Sequence, residues 1–229
     1  MARSALVTGG TGGLGTAVTT AFLDAGWRVI VPWVVERELA RMPKHPRLKL
    51  VRADLFDEKS ALECAGAAAS NVDAPLRAVV NLVGGFASGG RVHETPIDEF
   101  ESQLLLNLRA TYLTCHATLP YLVKAGGGSI VCMSSRAATH PFAGAAGYVT
   151  AKAAVLALVD ALNVEYADNH VRANAVLPGV IDTPANRAAM PDSDRKDWVA
   201  PADIARTILF LAGNDGSPIS GAHIPVDRS

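Results

Sequence analysis

At 229 residues the chain can enclose one sizeable hydrophobic core and is short for two. Apolar residues make up 49%, charged residues 19%, and the net charge is −1, which gives no electrostatic attraction to nucleic acid or to an anionic membrane. No unbroken apolar run approaches the roughly 18 residues of a membrane span, and "MARSALVTGG" enters a strand-like segment at once, so neither a spanning helix nor a secretory leader is expected.

In chain order, "SALVTGG" reads as a strand and "GTAVTTAFLDAG" as a helix ending at Gly26. "WRVIVPW" is a second strand and "RLKLVRADL" a third, followed by an alanine-rich helix over residues 59–70. "LRAVVNLVGG" and "GSIVCMSS" are the fourth and fifth strands. Between them a long helix spans residues 97–124, with Pro120 expected to bend or close its last part. "AAVLALVDALNVEYA" is a second long helix, "VRANAVLPG" a sixth strand, "ADIARTILFLAG" a helix and "GAHIPVD" a final strand.

Strand and helix alternate throughout, which predicts an α/β fold: a single-domain, doubly wound parallel sheet of Rossmann-like type with helices on both faces. "AVVNLV" and "SIVCM" are apolar on both sides, as doubly buried strands should be. "DTPANRAAMPDSDRKDWVAP" is the longest stretch without periodicity, and residues 182–200 are expected to form a substrate lid. The isolated cysteines Cys64, Cys115 and Cys132 have no metal or redox spacing and read as small core residues in a reduced, cytoplasmic protein. Six scattered histidines offer no metal-ligand spacing either, so no metal is expected.

"TGGTGGLG" joins the first strand to the first helix, where glycines let backbone amides approach a pyrophosphate. No lysine follows, against the phosphate loop of ATPases and GTPases. Spacing alone fits either Gly10, Gly12 and Gly15 or Gly9, Gly13 and Gly15. Asp54 after the third strand could accept from an adenine amino group with Leu55 against the ring, or could simply cap the following segment. Asn81 at the end of the fourth strand could bridge strands, and the glycines after it would let a ribose lie close to the backbone.

In "YVTAK" a helix would set Tyr148 and Lys152 on one face. A free phenol has a pKa near 10, too high for acid–base work at neutrality, and a neighbouring ammonium lowers it. Ser135, thirteen positions before Tyr148 at a strand end, could hydrogen-bond a substrate oxygen.

Together "TGGTGGLG", "ADL", "NLVGG", the "NL" at Asn107, "GSIVCMSS", "YVTAK", "LPGVIDTP" and the terminal "VD" resemble the short-chain dehydrogenase/reductase family over essentially the whole chain. The resemblance implies an NAD(P)-dependent oxidoreductase acting on a carbonyl, alcohol or quinonoid small molecule, with NAD and NADP both admissible. It selects Gly9, Gly13 and Gly15, with Leu14 between the last two. Tyr148 would be the general acid or base, Lys152 would lower its pKa and hold the nicotinamide ribose, Ser135 would orient the reacting oxygen, and Asn107 would sustain a water relay from a kink in its helix. Asp54, Leu55, Asn81 and Gly84 would contact the cofactor, and Pro178, Gly179, Ile181 and Thr183 would line the nicotinamide. Phe86, His140 and Phe142 suggest an apolar substrate pocket, with Met190 and Trp198 either in it or packing the lid. Within the family, "GGFASGG" and "DTPANRAAMPDSDRKDW" resemble the dihydropteridine reductase branch, which implies a homologous scaffold and a pteridine as one possible substrate. Ser135, Phe86 and Trp33 depart from that branch. The competing reading is a non-catalytic, nucleotide-sensing protein, which would not need Asn107, Ser135, Tyr148 and Lys152 all intact. A homodimer or homotetramer is also implied, the two long helices pairing across a two-fold axis.

The residue at the end of the second strand governs NAD against NADP, and here it is Trp33, whose indole could cover the adenine. Glu36 and Arg37 follow and either could reach back, which predicts weak discrimination.

Overall fold

The computed structural model describes residues 2–228. Seven strands form one parallel sheet: β1 (Ser4–Thr8), β2 (Arg28–Trp33), β3 (Leu48–Arg52), β4 (Leu76–Asn81), β5 (Gly128–Met133), β6 (Val171–Pro178) and β7 (His223–Val226), in the order β3-β2-β1-β4-β5-β6-β7. Chain order reverses between β1 and β4, so the loops beyond their carboxyl ends diverge and open a crevice.

Helices α1 (Gly13–Asp24) and α7 (Pro201–Ala212) cover one face, and α2 (Glu58–Ala69), α4 (Ala110–Lys124) and α5 (Ala146–Glu165) cover the other. The two-residue alternation of a strand explains the division. Leu6, Ile130, Cys132, Ala173 and Ala175 point into the second layer, while Ala5, Val7, Val131, Met133 and Val176 point into the first. Both layers are packed with buried apolar side chains, hence the apolar character of β4 and β5 on both sides. The three cysteines are free and buried, as expected of small core residues.

The helices run against the strands, so their carboxyl ends gather where the strands begin. Arginines meet carbonyls at these helix ends. Arg47 donates to Leu23 at the end of α1 (3.1 Å), Arg28 to Ala68 in α2 (3.0 Å), Arg77 to Ala125 after α4 (2.5 Å) and Arg172 to Gly213 after α7 (3.2 Å). This end of the sheet is structural.

Three expectations need correction. Pro120 does not close α4, which runs on to Lys124, because it and His116, the residue whose carbonyl its missing N–H would pair, both lie on the exposed face. The strand read through "ADL" stops at Arg52, which leaves Asp54 and Leu55 in the turn before α2. The segment expected to be aperiodic holds a short helix, α6 (Pro184–Ala189), capped by Thr183. By length and composition α5 could also cross a membrane, yet here it carries the buried Lys152 and packs Val155, Val159 and Leu162 into the core.

Candidate active site

The crevice begins at the turn after β1. Gly9 takes φ +64°, and a side chain on Gly15 would collide with the Gly9 carbonyl, so the loop folds tightly back on itself. Gly12 precedes α1 without a side-chain cap, and the first turn of α1 has no acidic residue. The free N–H groups and positive dipole end of this helix therefore face the crevice, an arrangement suited to a pyrophosphate. Gly13 is exposed on the same turn opposite Thr183, and Leu14 packs its side chain against the core.

Across the crevice, α3 (Ile97–Leu104) leads into α4 through one π-helical turn, Leu105–Arg109. This is the kink expected around Asn107, and such widened turns recur at functional sites. It turns Asn107 inward to 1% exposure. There Oδ1 accepts from the Gly85 N–H at 3.1 Å and Nδ2 donates to the Gln103 carbonyl at 3.1 Å. Gly84 lies beside it: a Cβ there would stand 2.6 Å from Asn107 Oδ1 and 3.1 Å from Lys152 Nζ. The fourth-strand loop, the π turn and α5 thus meet at one point.

Tyr148 and Lys152 share a face of α5, as their spacing predicts. Lys152 is 4% exposed, and its Nζ donates to the Met133 carbonyl at 3.1 Å. Burial lowers its pKa to about 8, although nearby Cys132 acts in the opposite direction. Ser134 donates to the Lys152 carbonyl at 2.8 Å and so pins α5 to the end of β5, a structural role. Ser135 lies beside Tyr148, and its Oγ accepts from the Ala137 N–H at 3.2 Å. For Tyr148 the expected direction is reversed. Burial raises its pKa, with the Ser135 hydroxyl pulling it partly back down. Lys152 gives its hydrogen bond to Met133 and stands 5.8 Å from the phenol ring centroid, so desolvation dominates.

Other candidates fall into place unevenly. Phe86 stands edge-on to Tyr148, with ring centroids 5.0 Å apart at 88°, and Phe142 lies 6.1 Å from Phe86. His140 is exposed, two positions before Phe142, and hydrogen-bonds Thr139. Pro178 and Gly179 close β6, and Ile181 bridges to Val199, which ties together the two ends of the segment that holds Thr183. Trp198 is buried in that segment. Asn81 does not line the crevice: its amide nitrogen points at the sulfurs of Cys115 (3.4 Å) and Cys132 (3.6 Å) inside the core, leaving only its backbone available. Asp54 accepts from the Phe56 N–H at 2.9 Å and so stabilises the turn, while Asp57 caps α2 and Leu55 is buried in the core. Trp33 is half-buried at the end of β2, but Glu36 and Arg37 are exposed and make no side-chain hydrogen bond or ion pair among the described residues. Glu38 reaches the glycine loop instead, accepting from Thr11 Oγ1 at 2.6 Å. Nothing in "ERELAR" marks Glu38 over its neighbours, because a short 3-10 turn at Glu36–Arg41 decides which side chain faces inward.

Residues 3–194 match the family model described as short chain dehydrogenase. The chain belongs to the short-chain dehydrogenase family. Among its relatives in the family, the 2-(R)-hydroxypropyl-CoM dehydrogenase of Xanthobacter autotrophicus is 34% identical, covering 99% of this chain and 98% of that protein. The 2,5-dichloro-2,5-cyclohexadiene-1,4-diol dehydrogenase LinX of Sphingobium indicum is 32% identical over 98% of this chain and 94% of its own length. A solved structure of ElxO with NADP bound superposes with a TM-score of 0.91 at 25% identity, covering 99% of this chain and 97% of that one. Like other short-chain dehydrogenases, the chain is an NAD(P)-dependent oxidoreductase.

Proposed function

We propose that this dehydrogenase interconverts a secondary alcohol and its ketone on an apolar small molecule. The observation that carries the reading is the aromatic wall over the phenol, Phe86 edge-on to Tyr148 with Phe142 behind it. The two relatives bear the names of dehydrogenases of hydroxylated small molecules, which supports the same class.

The glycine turn and the loops after β4 and β6 would hold NAD(P), which would supply or accept the hydride. The chain's own groups handle the proton and the positioning. Ser135 and Tyr148 would both hydrogen-bond the reacting oxygen. In reduction Tyr148 passes its phenolic proton to that oxygen; in oxidation the phenolate takes it back. A buried phenol with a raised pKa is protonated at neutrality, the state reduction requires. Lys152 would hold a ribose hydroxyl, and Asn107, at the π turn, would position a water that relays the proton.

Residues 182–200 would serve as the lid, a role supported by ends that meet at the Ile181–Val199 bridge. We assign the chain to a homodimer or homotetramer, on the strength of exposed Leu105 and Tyr112 beside Leu108 and Leu158, which join the π turn, α4 and α5 in one apolar patch. A cytoplasmic location accords with three free buried thiols. The test follows nicotinamide absorbance across alicyclic and aryl secondary alcohols and their ketones, with hydroxy acids of similar size alongside. Turnover of the apolar set is expected, and a clear preference for the acids would overturn the pocket reading.

A further inference from the structure

The carboxyl end of β2 offers no charge of its own, since Trp33 is followed by the exposed Val34 and Val35. The next turn, Glu36–Arg41, brings two opposite charges against the glycine loop. Thr11, 5% exposed, donates from Oγ1 to Glu38 Oε2 at 2.6 Å. Arg41 donates to the Thr11 carbonyl at 3.5 Å, and its Nη2 lies 3.9 Å from Glu38 Oε1.

The two are not held equally. The Thr11–Glu38 bond is short, and the Glu38 side chain is 27% exposed. Both Arg41 contacts are long, and its side chain is 51% exposed. A fixed carboxylate therefore sits beside a loosely tethered guanidinium at the loop that would carry the adenosine half of the cofactor. In dinucleotide folds an acid there binds a ribose 2′-hydroxyl, and an arginine accommodates a 2′-phosphate. An acid alone would repel the phosphate, and an arginine alone would favour it. Side by side, each offsets the other.

We propose that Glu38 and Arg41 form a single reader of the adenosine 2′ position, with Glu38 accepting from the hydroxyl of NAD(H) and Arg41 swinging off Glu38 to pair with the phosphate of NADP(H). This rests on the NAD(P) reading of the crevice and predicts that both cofactors bind. Glu36 and Arg37, exposed and uncontacted, take no part.

The test is fluorescence titration of NADH and NADPH, separately, with wild type, Glu38→Gln, Arg41→Ala and Arg41→Lys, each beside a thermal melt. Wild-type dissociation constants for the two cofactors should differ by less than about a hundredfold. Glutamine keeps the acceptor for Thr11 and removes the charge, so Glu38→Gln should tighten NADPH and weaken NADH. Arg41→Ala should weaken NADPH by about tenfold or more, the loss of a charge-assisted pair, and leave NADH near wild type, with Arg41→Lys in between. Substitutions that move both cofactors alike, or neither, would overturn the reader and reduce Glu38 to a brace on the glycine loop. If wild type bound neither cofactor, the NAD(P) reading itself would fall.

Discussion

Lys152→Met should make the protein more stable while removing its activity. Lys152 is 4% exposed, its ammonium donates to the Met133 carbonyl and to no other group among the described residues, and burial takes its pKa from 10.5 to about 8. That fall corresponds to about 3 kcal/mol against the charged form, at ~1.4 kcal/mol per tenfold change in proton affinity. Methionine has similar length and flexibility and carries no charge, so the penalty disappears, less about 1 kcal/mol for the lost bond to Met133. The net gain near neutrality is about 2 kcal/mol. The sign follows from proton counting. Between about pH 8 and 10.5 the unfolded chain holds more protons at this lysine than the folded one, so wild-type stability climbs with pH across that window. Below about pH 8 both states are protonated and the whole penalty is present. Urea denaturation of both proteins at neutral pH and well above pH 8 measures the difference. It should be large at neutrality and shrink on the alkaline side. A less stable Lys152→Met, or a difference indifferent to pH, would refute the claim that the ammonium is held at a cost.

Gly13→Val should abolish cofactor binding by fluorescence titration with little change in the melting temperature. Its side chain would enter the pyrophosphate seat and also press on Thr183, whose Cβ lies 3.0 Å from the position of a Cβ at residue 13. Normal binding would refute the choice of Gly9, Gly13 and Gly15. With the Tyr148 phenol raised by burial, kcat/KM for alcohol oxidation should climb through the alkaline range while ketone reduction declines. Ser135→Ala removes the group that opposes that rise and should move the oxidation limb to higher pH as well as lowering turnover; an unmoved limb would separate Ser135 from the phenol.

The sheet, its doubly buried strands and the Tyr148–Lys152 face were legible because periodicity and glycine placement act locally. Asn107 was legible as a position, though only the π turn shows how its side chain comes to face Gly85. What escaped depends on three-dimensional neighbours. Pro120 is tolerated because of the side of α4 on which it falls, and Asn81 turns into the core toward two thiols from other elements. The Tyr148 pKa depends on how far burial outweighs the Ser135 hydroxyl while the Lys152 hydrogen bond goes to Met133, and spacing in a helix cannot reveal that balance. Glu38 rather than Glu36 reaches the glycine loop because a short 3-10 turn has its own register.

The measurement that bears most directly on the site is single-turnover kinetics of wild type and Tyr148→Phe with preloaded reduced cofactor and a ketone. Removing the phenolic proton should slow hydride transfer by about 10² to 10⁴ while the cofactor dissociation constant stays near wild type. A variant that oxidises its cofactor at the wild-type rate would contradict the assignment of Tyr148 as the proton donor, and with it the chemistry built around Ser135, Lys152 and Asn107.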